Sequence, residues 1–211
     1  MVKVKICGIT NFKDARQAFE AGADFLGFNF YLRSPRYVTP RTARGILRRL
    51  PKKLASVGVF VNEREDEMLK IARQVGLDYL QLHGEESPAA VVQLARNLPV
   101  IKAVRVRNSF RAAELTRYKH VSAFLLDGFD HRRRGGSGKT FRWNIALRAK
   151  RAGRIFLAGG LTLENVGEAI RCVKPYAVDV CSGVETKPGK KDPALVASFI
   201  RSVHSAQRTM R

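Results

Sequence analysis

The sequence has few acidic residues, few cysteines and no long hydrophobic run. Its 18 Asp and Glu residues are outnumbered by 39 Lys and Arg residues, which gives a formal net charge of +21. The three cysteines form no CxxC pair and cannot all be bridged, so neither a zinc knuckle nor a disulfide framework is expected. No apolar run approaches the ~18 residues that a membrane-spanning helix needs. These absences predict a soluble protein of the reducing cytoplasm with no membrane segment.

The excess of basic residues has three possible explanations: nucleic-acid binding, an anionic small substrate, or a basic proteome. The basic residues are spread along the chain, with local clusters at 48–53 and 132–134 and no basic tail. Such a spread is typical of a solvated surface, so specific nucleic-acid binding is not expected. The chain enters a strand-like pattern at residue 2, and we therefore expect no signal peptide.

Short apolar segments of strand-like composition alternate with amphipathic segments along the whole chain. Strands are predicted at 2–7, 25–30, 55–61, 79–83, 99–106, 123–127, 155–158 and 177–181. Helices are predicted at 12–21, 40–50, 65–75, 87–97, 109–118, 143–150, 163–173 and 193–205. No hairpin is apparent, and strict alternation predicts a parallel sheet. Eight units without a linker favour one closed (β/α)₈ barrel, the TIM-barrel fold of the α/β class, as a single domain over residues 1–211.

An open dinucleotide-binding sheet is disfavoured because no GxGxxG motif follows the first strand. In a barrel, the active site is built at the carboxyl ends of the strands. Polar side chains that a barrel does not need for stability gather at these ends: Cys7, Asn29 with Arg36 beyond it, His83, Arg105, Asp127, and Asp179 with Ser182. The first of them, Cys7, has two interpretations at this point, a functional thiol or a buried structural one.

Glycine-rich loops follow the last two predicted strands. Gly159 and Gly160 come after the seventh strand, and Ser182 and Gly183 come after the eighth. Loops in these two positions hold phosphate in many barrels, because glycine lets backbone N–H groups approach an anion closely. Ordinary turn glycines are the alternative. The loop at 134–140 ends like a Walker A motif but lacks its first glycine, since Arg133 stands there, so we interpret it as a mobile loop over the sixth strand end.

The ordered set of motifs resembles the phosphoribosylanthranilate isomerase family of tryptophan biosynthesis over essentially the whole chain. The matching segments are 5–10 (KICGIT), 27–30 (GFNF), 34–36 (SPR), 58–62 (GVFVN), 81–84 (QLHG), 135–138 (GGSG), 157–161 (LAGGL), 179–185 (DVCSGVE) and 188–192 (PGKKD). The sequence departs from the family at two positions: Cys181 stands where Ser is common, and Arg142 stands where Asp is common.

The resemblance implies an isomerase that needs no cofactor and no metal. Its reaction would be the Amadori rearrangement of N-(5-phosphoribosyl)anthranilate to 1-(2-carboxyphenylamino)-1-deoxyribulose 5-phosphate. Cys7 matches the family's general base and Asp127 its general acid. A thiolate of lowered pKa can be a base near neutrality, whereas a carboxyl group can donate there only if its pKa is raised. The predicted substrate-binding residues are Arg36 for the anthranilate carboxylate, with Gly159, Gly160, Asp179, Ser182 and Gly183.

Two other functions remain as alternatives. One is a related phosphate-binding barrel, such as indole-glycerol-phosphate synthase or a sugar-phosphate epimerase or isomerase. The other is a basic nucleic-acid-binding module, which would account for the charge but not for the polar strand ends. The implied partner is a small phosphorylated substrate, and the sequence does not predict the oligomeric state.

The barrel topology adds an expectation about two of the cysteines. The first and last strands of a closed barrel are neighbours, and Cys181 has the side-chain parity of Asp179. If Asp179 faces the site, Cys181 should lie close to Cys7, near enough for a disulfide. The alternative is that barrel stagger keeps the two sulfurs apart.

Overall fold

Eight parallel strands close into a barrel in the computed structural model, which describes residues 1–106, 110–128 and 138–208. The strands are β1 Lys3–Cys7, β2 Phe25–Asn29, β3 Ala55–Phe60, β4 Tyr79–Leu82, β5 Val100–Arg105, β6 Ala123–Asp127, β7 Ile155–Ala158 and β8 Ala177–Val180. Each strand pairs with the next in sequence, and β8 returns to pair with β1. The predicted (β/α)₈ barrel is confirmed.

Helices cover the outside of the barrel between the strands. In the described ranges they are α1 Phe12–Glu20, α2 Pro40–Leu47, α3 Glu65–Val75, α4 Pro88–Ala95, α5 Gly138–Ala149, α6 Val166–Val173 and α7 Pro193–Arg208. Several begin at side-chain caps: Asn11, Thr39 and Ser87 each accept a hydrogen bond from the backbone N–H three residues later. Within the described part of the chain, no helix is long and apolar enough to cross a membrane.

The structure corrects the predicted helix boundaries between β5 and β7. The helix expected at 109–118 is a 3₁₀ helix at Ala112–Arg117, in which only Leu115 is buried. One buried position is too little to anchor an amphipathic α-helix on the barrel. Helix α5 begins at Gly138, before the expected start at 143. Residues 134–137 of the predicted loop, which include the motif glycines at 135 and 136, lie outside the described residues.

The prediction that the chain contains no hairpin is wrong. Two short antiparallel strands, β9 Glu185–Lys187 and β10 Lys190–Lys191, follow β8. They are joined by a tight turn in which Gly189 has a φ of 80°, a left-handed conformation that glycine adopts without strain. Strands of three and two residues are too short to show a period-two pattern, so the sequence did not reveal them.

The barrel interior is apolar at its amino end and polar at its carboxyl end. Nine buried apolar side chains from β2, β3 and β5–β8 form the interior cluster, with Phe25 packed edge-on against Phe156 at a centroid distance of 5.3 Å. On the outer face of β1, the side chains of Val4 and Ile6 belong to the larger apolar cluster between the barrel and the helices. The polar side chains that end the strands, among them Cys7 and Asp127, lie at the open carboxyl end, where they form the candidate site.

Candidate active site

Cys7 ends β1 above a buried ion pair. Two residues earlier on the same strand face, the Lys5 Nζ atom lies 2.8 Å from Asp179 Oδ1, and the exposed fractions of the two side chains are 0% and 9%. The register of β1 against β8 pairs Lys5 directly with Asp179. Lys5 also hydrogen-bonds to the Cys7 side chain. The barrel interior thus holds an ammonium group between a carboxylate and the thiol.

This environment favours the thiolate of Cys7. The pKa of Cys7 is lowered well below its ordinary value of 9.0, by the hydrogen bond from Cys181 first and by the charges of Lys5 and Lys191 beside it, against the opposing effect of burial. Burial alone would lower the pKa of Lys5, but the charges of Asp179 and Cys7 raise it, so Lys5 stays an ammonium ion. Burial raises the pKa of Asp179 to about 6, although Lys5 opposes the increase.

Gly27 on β2 leaves the space that this cluster occupies. A Cβ atom at Gly27 would lie 2.7 Å from the Cys7 Sγ atom and 3.0 Å from the Lys5 Nζ atom. Such contacts are too close, so a side chain at 27 would displace the thiol and its cation. The backbone of β2 pairs Gly27 with Cys7 and therefore forms one wall of the site.

Cys181 meets Cys7 at the point where β8 ends, as the strand parity predicted. The Cys181 Sγ atom lies 3.9 Å from Glu185 Oε1 and 3.7 Å from Lys191 Nζ, and both cysteines are partly exposed. A Cβ atom at Gly8, which has a φ of 76°, would lie 3.0 Å from the Cys181 Sγ atom. The hydrogen bond to Cys7, together with burial, raises the pKa of Cys181, so Cys181 is the protonated member of the pair.

Asp127 ends β6 and is hydrogen-bonded to His83, the residue after β4. The distance from His83 Nε2 to Asp127 Oδ2 is 3.3 Å, and Gln81 Nε2 lies 2.9 Å from His83 Nδ1. Gln81 and Asp127 thus hold the imidazole ring of His83 between them. The hydrogen bond from His83 lowers the pKa of Asp127, and the charges of His83 and Arg105 add to this effect.

Arg36 projects from the loop after β2 and is held by a carboxylate from β9. Its Nε and Nη2 atoms donate to both oxygens of Glu185, with a shortest distance of 2.6 Å. Lys191 Nζ binds the same carboxylate at 2.8 Å. Burial acts to raise the pKa of Glu185, but the hydrogen bonds and charges of Arg36 and Lys191 outweigh it and lower that pKa. Among the described residues, the Nη1 atom of Arg36 has no hydrogen-bond partner.

The two glycine loops lie against each other beyond β7 and β8. Gly159 and Gly160 have φ values of 83° and 68°, a conformation that L side chains rarely adopt. Gly183 belongs to a 3₁₀ helix at Ser182–Val184, and a Cβ atom there would overlap the carbonyl oxygen of Leu161. The loops therefore approach each other closely only because of their glycines, and Ser182 is exposed at their surface.

The structure brings most of the predicted site residues to one end of the barrel and gives Asp179 a different setting. Asp179 is buried beside Lys5, below Cys7, rather than beside the glycine loops. Sequence reasoning assigned no role to Lys5, Glu185 and Lys191. Lys5 could have been recognised, because it lies two residues before Cys7 and therefore on the same face of β1. The contacts of Glu185 and Lys191 depend on the β9–β10 hairpin, which left no recognisable pattern.

Comparison with known proteins agrees with this geometry. A family profile described as N-(5'-phosphoribosyl)anthranilate (PRA) isomerase matches residues 4–202. The protein of that name from Pelobacter propionicus is 52% identical over 201 residues, which are 95% of this chain and 95% of that protein. The crystal structure of phosphoribosyl anthranilate isomerase from Thermotoga maritima is similar with a TM-score of 0.89 and 46% identity, covering 97% of this chain and all of that one.

A further solved structure adds a ligand to the comparison. It is a phosphoribosyl anthranilate isomerase in complex with reduced 1-(o-carboxyphenylamino)-1-deoxyribulose 5-phosphate, similar to this chain with a TM-score of 0.87 and 43% identity. The alignment covers 97% of this chain and 100% of that chain. The family match and relatives this similar over nearly their whole length lead to one conclusion: the chain belongs to the N-(5'-phosphoribosyl)anthranilate isomerase family.

Proposed function

We propose that this chain catalyses the Amadori rearrangement of N-(5-phosphoribosyl)anthranilate to 1-(2-carboxyphenylamino)-1-deoxyribulose 5-phosphate. The observation that carries the proposal is the setting of Cys7, a thiol of strongly lowered pKa at the mouth of a barrel whose sixth strand ends in Asp127. A thiolate and a carboxyl group at one open barrel end supply the base and the acid that an aldose–ketose isomerisation requires.

The substrate has two anionic ends, and the mouth offers a separate place for each. Arg36 is held from one side by Glu185, which leaves its Nη1 side for the anthranilate carboxylate. The backbone of the glycine loops at Gly159–Gly160 and Ser182–Gly183 receives the phosphate. With both ends bound, the ribose ring between them lies over Cys7 and Asp127.

Ring opening needs a proton at the ring oxygen. In the free chain the pKa of Asp127 is lowered by its hydrogen bond with His83, so its carboxyl group is ionised near neutrality. The substrate brings a carboxylate and a phosphate into the mouth, and these negative charges oppose a further one. Substrate binding therefore raises the pKa of Asp127 and lets it carry the proton that it donates. The ring C–O bond breaks, and the nitrogen of the aminoaldose becomes an iminium.

The second transfer belongs to Cys7. Its thiolate removes the proton at C2, and the electron pair of the C–H bond neutralises the iminium to give the enolamine. Tautomerisation of the enolamine gives the ketose product. Lys5 acts here as a positioning residue, because its ammonium group stabilises the thiolate before the transfer. Asp179 holds Lys5 from below by the ion pair of 2.8 Å, so its role is indirect and differs from the substrate contact expected from sequence.

The direct test is the loss of anthranilate-ribosyl fluorescence after the purified chain is mixed with freshly made substrate. We expect turnover without any added cofactor or metal. Parallel assays with simple aldose phosphates, with the same preparation, test the alternative of a different sugar-phosphate isomerase. Turnover of an aldose phosphate without turnover of the anthranilate ribosyl compound would refute the proposal.

The remaining proposals concern the surroundings of the protein. We propose that the chain acts as a single domain, which is supported by its one closed barrel. We also propose that it acts in the cytoplasm, which is supported by three cysteines that are all free thiols. Its proposed partner is the small phosphorylated substrate.

A further inference from the structure

Cys181 is a thiol that the proposed mechanism does not use. It follows β8, whose residue Val180 is the register partner of Ile6, so Cys181 and Cys7 are the next residues along two paired strands. Neighbouring parallel strands are about 4.8 Å apart, which is within the Cα separations that disulfides span. The Cys181 Sγ atom also lies beside β1, because a Cβ atom at Gly8, the residue after Cys7, would be only 3.0 Å from it.

The two thiols differ in reactivity in a way that suits stepwise oxidation. The pKa of Cys7 is lowered, first by its interaction with Cys181 and then by the charges of Lys5 and Lys191, and the resulting thiolate is the form that attacks peroxides. The pKa of Cys181 is raised, first by its interaction with Cys7 and then by burial, so Cys181 keeps its proton. Both residues are partly exposed at the barrel mouth, so a small oxidant reaches them. A reactive thiolate beside a second thiol is the arrangement of redox-sensitive cysteine pairs.

We propose that Cys7 and Cys181 form an oxidation site for hydroperoxides, which convert the pair into an intramolecular disulfide and so inactivate the enzyme reversibly. The inactivation follows because the disulfide removes the thiolate from Cys7. The formation of the bond itself does not depend on the isomerase activity, since it needs only the two thiols and the oxidant.

The reaction balances in two steps. The Cys7 thiolate attacks the terminal oxygen of the hydroperoxide, the O–O bond breaks, and the departing oxygen takes a proton, which leaves a sulfenic acid on Cys7. The Cys181 sulfur then attacks the Cys7 sulfur, the S–O bond breaks, and the hydroxide leaves with the Cys181 proton as water. The two sulfurs are each oxidised by one electron, and the hydroperoxide is reduced by two. A dithiol such as dithiothreitol reverses the change by thiol–disulfide exchange.

The chain contains its own control cysteine. Cys172 is exposed on α6, away from the barrel mouth. It would confuse a peptide map, because trypsin does not cleave before Pro175 or Pro188 and leaves residues 172–190 on one peptide. The map is therefore made in the Cys172→Ser variant, in which a tryptic peptide carrying Cys181 holds only that cysteine.

The experiment treats this variant with hydrogen peroxide and follows thiol content, peptide linkage and activity together. We expect the loss of both remaining thiols, a linked pair of peptides containing Cys7 and Cys181, and a loss of nearly all activity that dithiothreitol restores. Cys181→Ser, compared with its own untreated activity, should instead be inactivated irreversibly, because the sulfenic acid of Cys7 has no second thiol and proceeds to the sulfinic acid.

Three results would overturn the proposal. The first is a peptide map with oxidised Cys7 but no link to Cys181. The second is full recovery of Cys181→Ser with dithiothreitol, equal to that of the parent. The third is a linked pair of peptides in a protein that keeps its full activity. The map alone decides the first point, so the proposal remains testable even if the Cys181→Ser variant folds poorly.

Discussion

Two buried lysine–carboxylate pairs in this barrel have nearly the same geometry and different surroundings. Lys5 lies 2.8 Å from Asp179, and Lys102 lies 2.8 Å from Glu86. Lys102 also donates to the carbonyl oxygens of Leu82 and Gly84, at 3.2 and 2.7 Å. All three of its hydrogens therefore go to a carboxylate or to the backbone, whereas Lys5 shares its hydrogens between Asp179 and a titrating thiol.

The difference separates a structural pair from a chemical one. Glu86 accepts hydrogen bonds from the backbone N–H groups of Asn62 and Gly84, so the Lys102–Glu86 pair ties the loops after β3 and β4 to β5. The Lys5–Asp179 pair ties nothing to the backbone through its lysine. Its ammonium group is free to stabilise a negative charge on Cys7. The two pairs show that a buried lysine acquires a chemical role from what its remaining hydrogens face.

Replacing Lys102, the cation of the structural pair, should have the largest effect, which is a loss of stability. Lys102→Met leaves Glu86 buried without its counter-ion, and breaking one side of a buried pair costs on the order of 3–5 kcal/mol in the free energy of unfolding. The measurement is denaturant unfolding of the purified variant. Lys70→Met is the control, because Lys70 makes an exposed pair with Glu67 that is worth about 1 kcal/mol or less. Equal losses in the two variants would mean that the Lys102–Glu86 pair is not structural.

Removing the proposed base and acid, Cys7 and Asp127, should affect the rate and leave stability almost unchanged. Cys7→Ser replaces an acidic thiol with a far less acidic hydroxyl, and Asp127→Asn removes the transferable proton. Each should lower kcat by about 10² or more, which is the usual contribution of positioned proton transfer. Binding of a reduced product analogue should be largely retained, and Cys172→Ser should have the parent rate. A Cys7→Ser variant with near-parent kcat would make Cys7 a packing thiol.

Removing Arg36, the proposed anthranilate clamp, should have a slightly smaller effect and act mainly on KM. Arg36→Ala loses a charge-assisted hydrogen bond to the substrate, so kcat/KM should fall by an amount equivalent to about 2–3 kcal/mol. Glu185 stays paired with Lys191, so the fold should tolerate the change. Arg33→Ala, in the same loop but exposed, is the control for lost positive charge. If Arg36→Ala lowers only kcat, Arg36 has a role other than carboxylate binding.

Replacing Lys5, whose ammonium group stabilises the Cys7 thiolate, should change the pH dependence of kcat/KM more than the stability of the fold. Because the pKa of Cys7 is lowered, its thiolate is already formed at neutrality. The ionisation of Cys7 should therefore cause no increase in kcat/KM between neutral and alkaline pH. In Lys5→Met one of the cations that lower the pKa of Cys7 is gone, so that pKa should rise and kcat/KM should increase with pH over a range in which the parent is flat. The fold tolerates Lys5→Met better than Lys102→Met, because the pKa of Asp179 is already raised to about 6 and its carboxyl takes up a proton readily.

The control for that variant is on the same strand. Lys3 has the parity of Lys5 but lies at the opposite end of the barrel, where its ammonium group lies over the Phe25 ring at 5.4 Å. Lys3→Met should keep the parent pH profile. Thiolate absorbance, measured beside the rate, reports the Cys7 pKa directly. A parent profile in Lys5→Met would show that Lys5 does not stabilise the thiolate.

Local patterns in the sequence predicted much of this molecule. Strand periodicity and helix caps gave the eight βα units, and side-chain parity placed Cys7, Asp179 and Cys181 on the inner face of the barrel. These properties depend on neighbours two to four residues away, so they are visible in a linear chain. The order of the strands followed from the alternation of elements.

Apart from the proximity of Cys7 and Cys181, the pairings between side chains distant in sequence were not predicted. Lys5 acquires its role from Asp179, which is 174 positions later, and Arg36 is held by Glu185, which is 149 positions later. The direction of the Asp127 pKa shift depends on His83, which comes from a different strand. No local pattern reports such pairings, because they follow from the register of a closed sheet.

The closure between β1 and β8 has a consequence for how the chain folds. Contacts between residues so far apart in sequence form late, because a long loop must close before they contribute any stability. Until β8 docks on β1, Cys7 has neither the hydrogen bond from Cys181 nor the charge of Lys191. During folding it is therefore an ordinary, slowly reacting thiol, and its acidity appears only when the last strand closes the barrel. Chemical reactivity and completion of the fold thus arise in the same event.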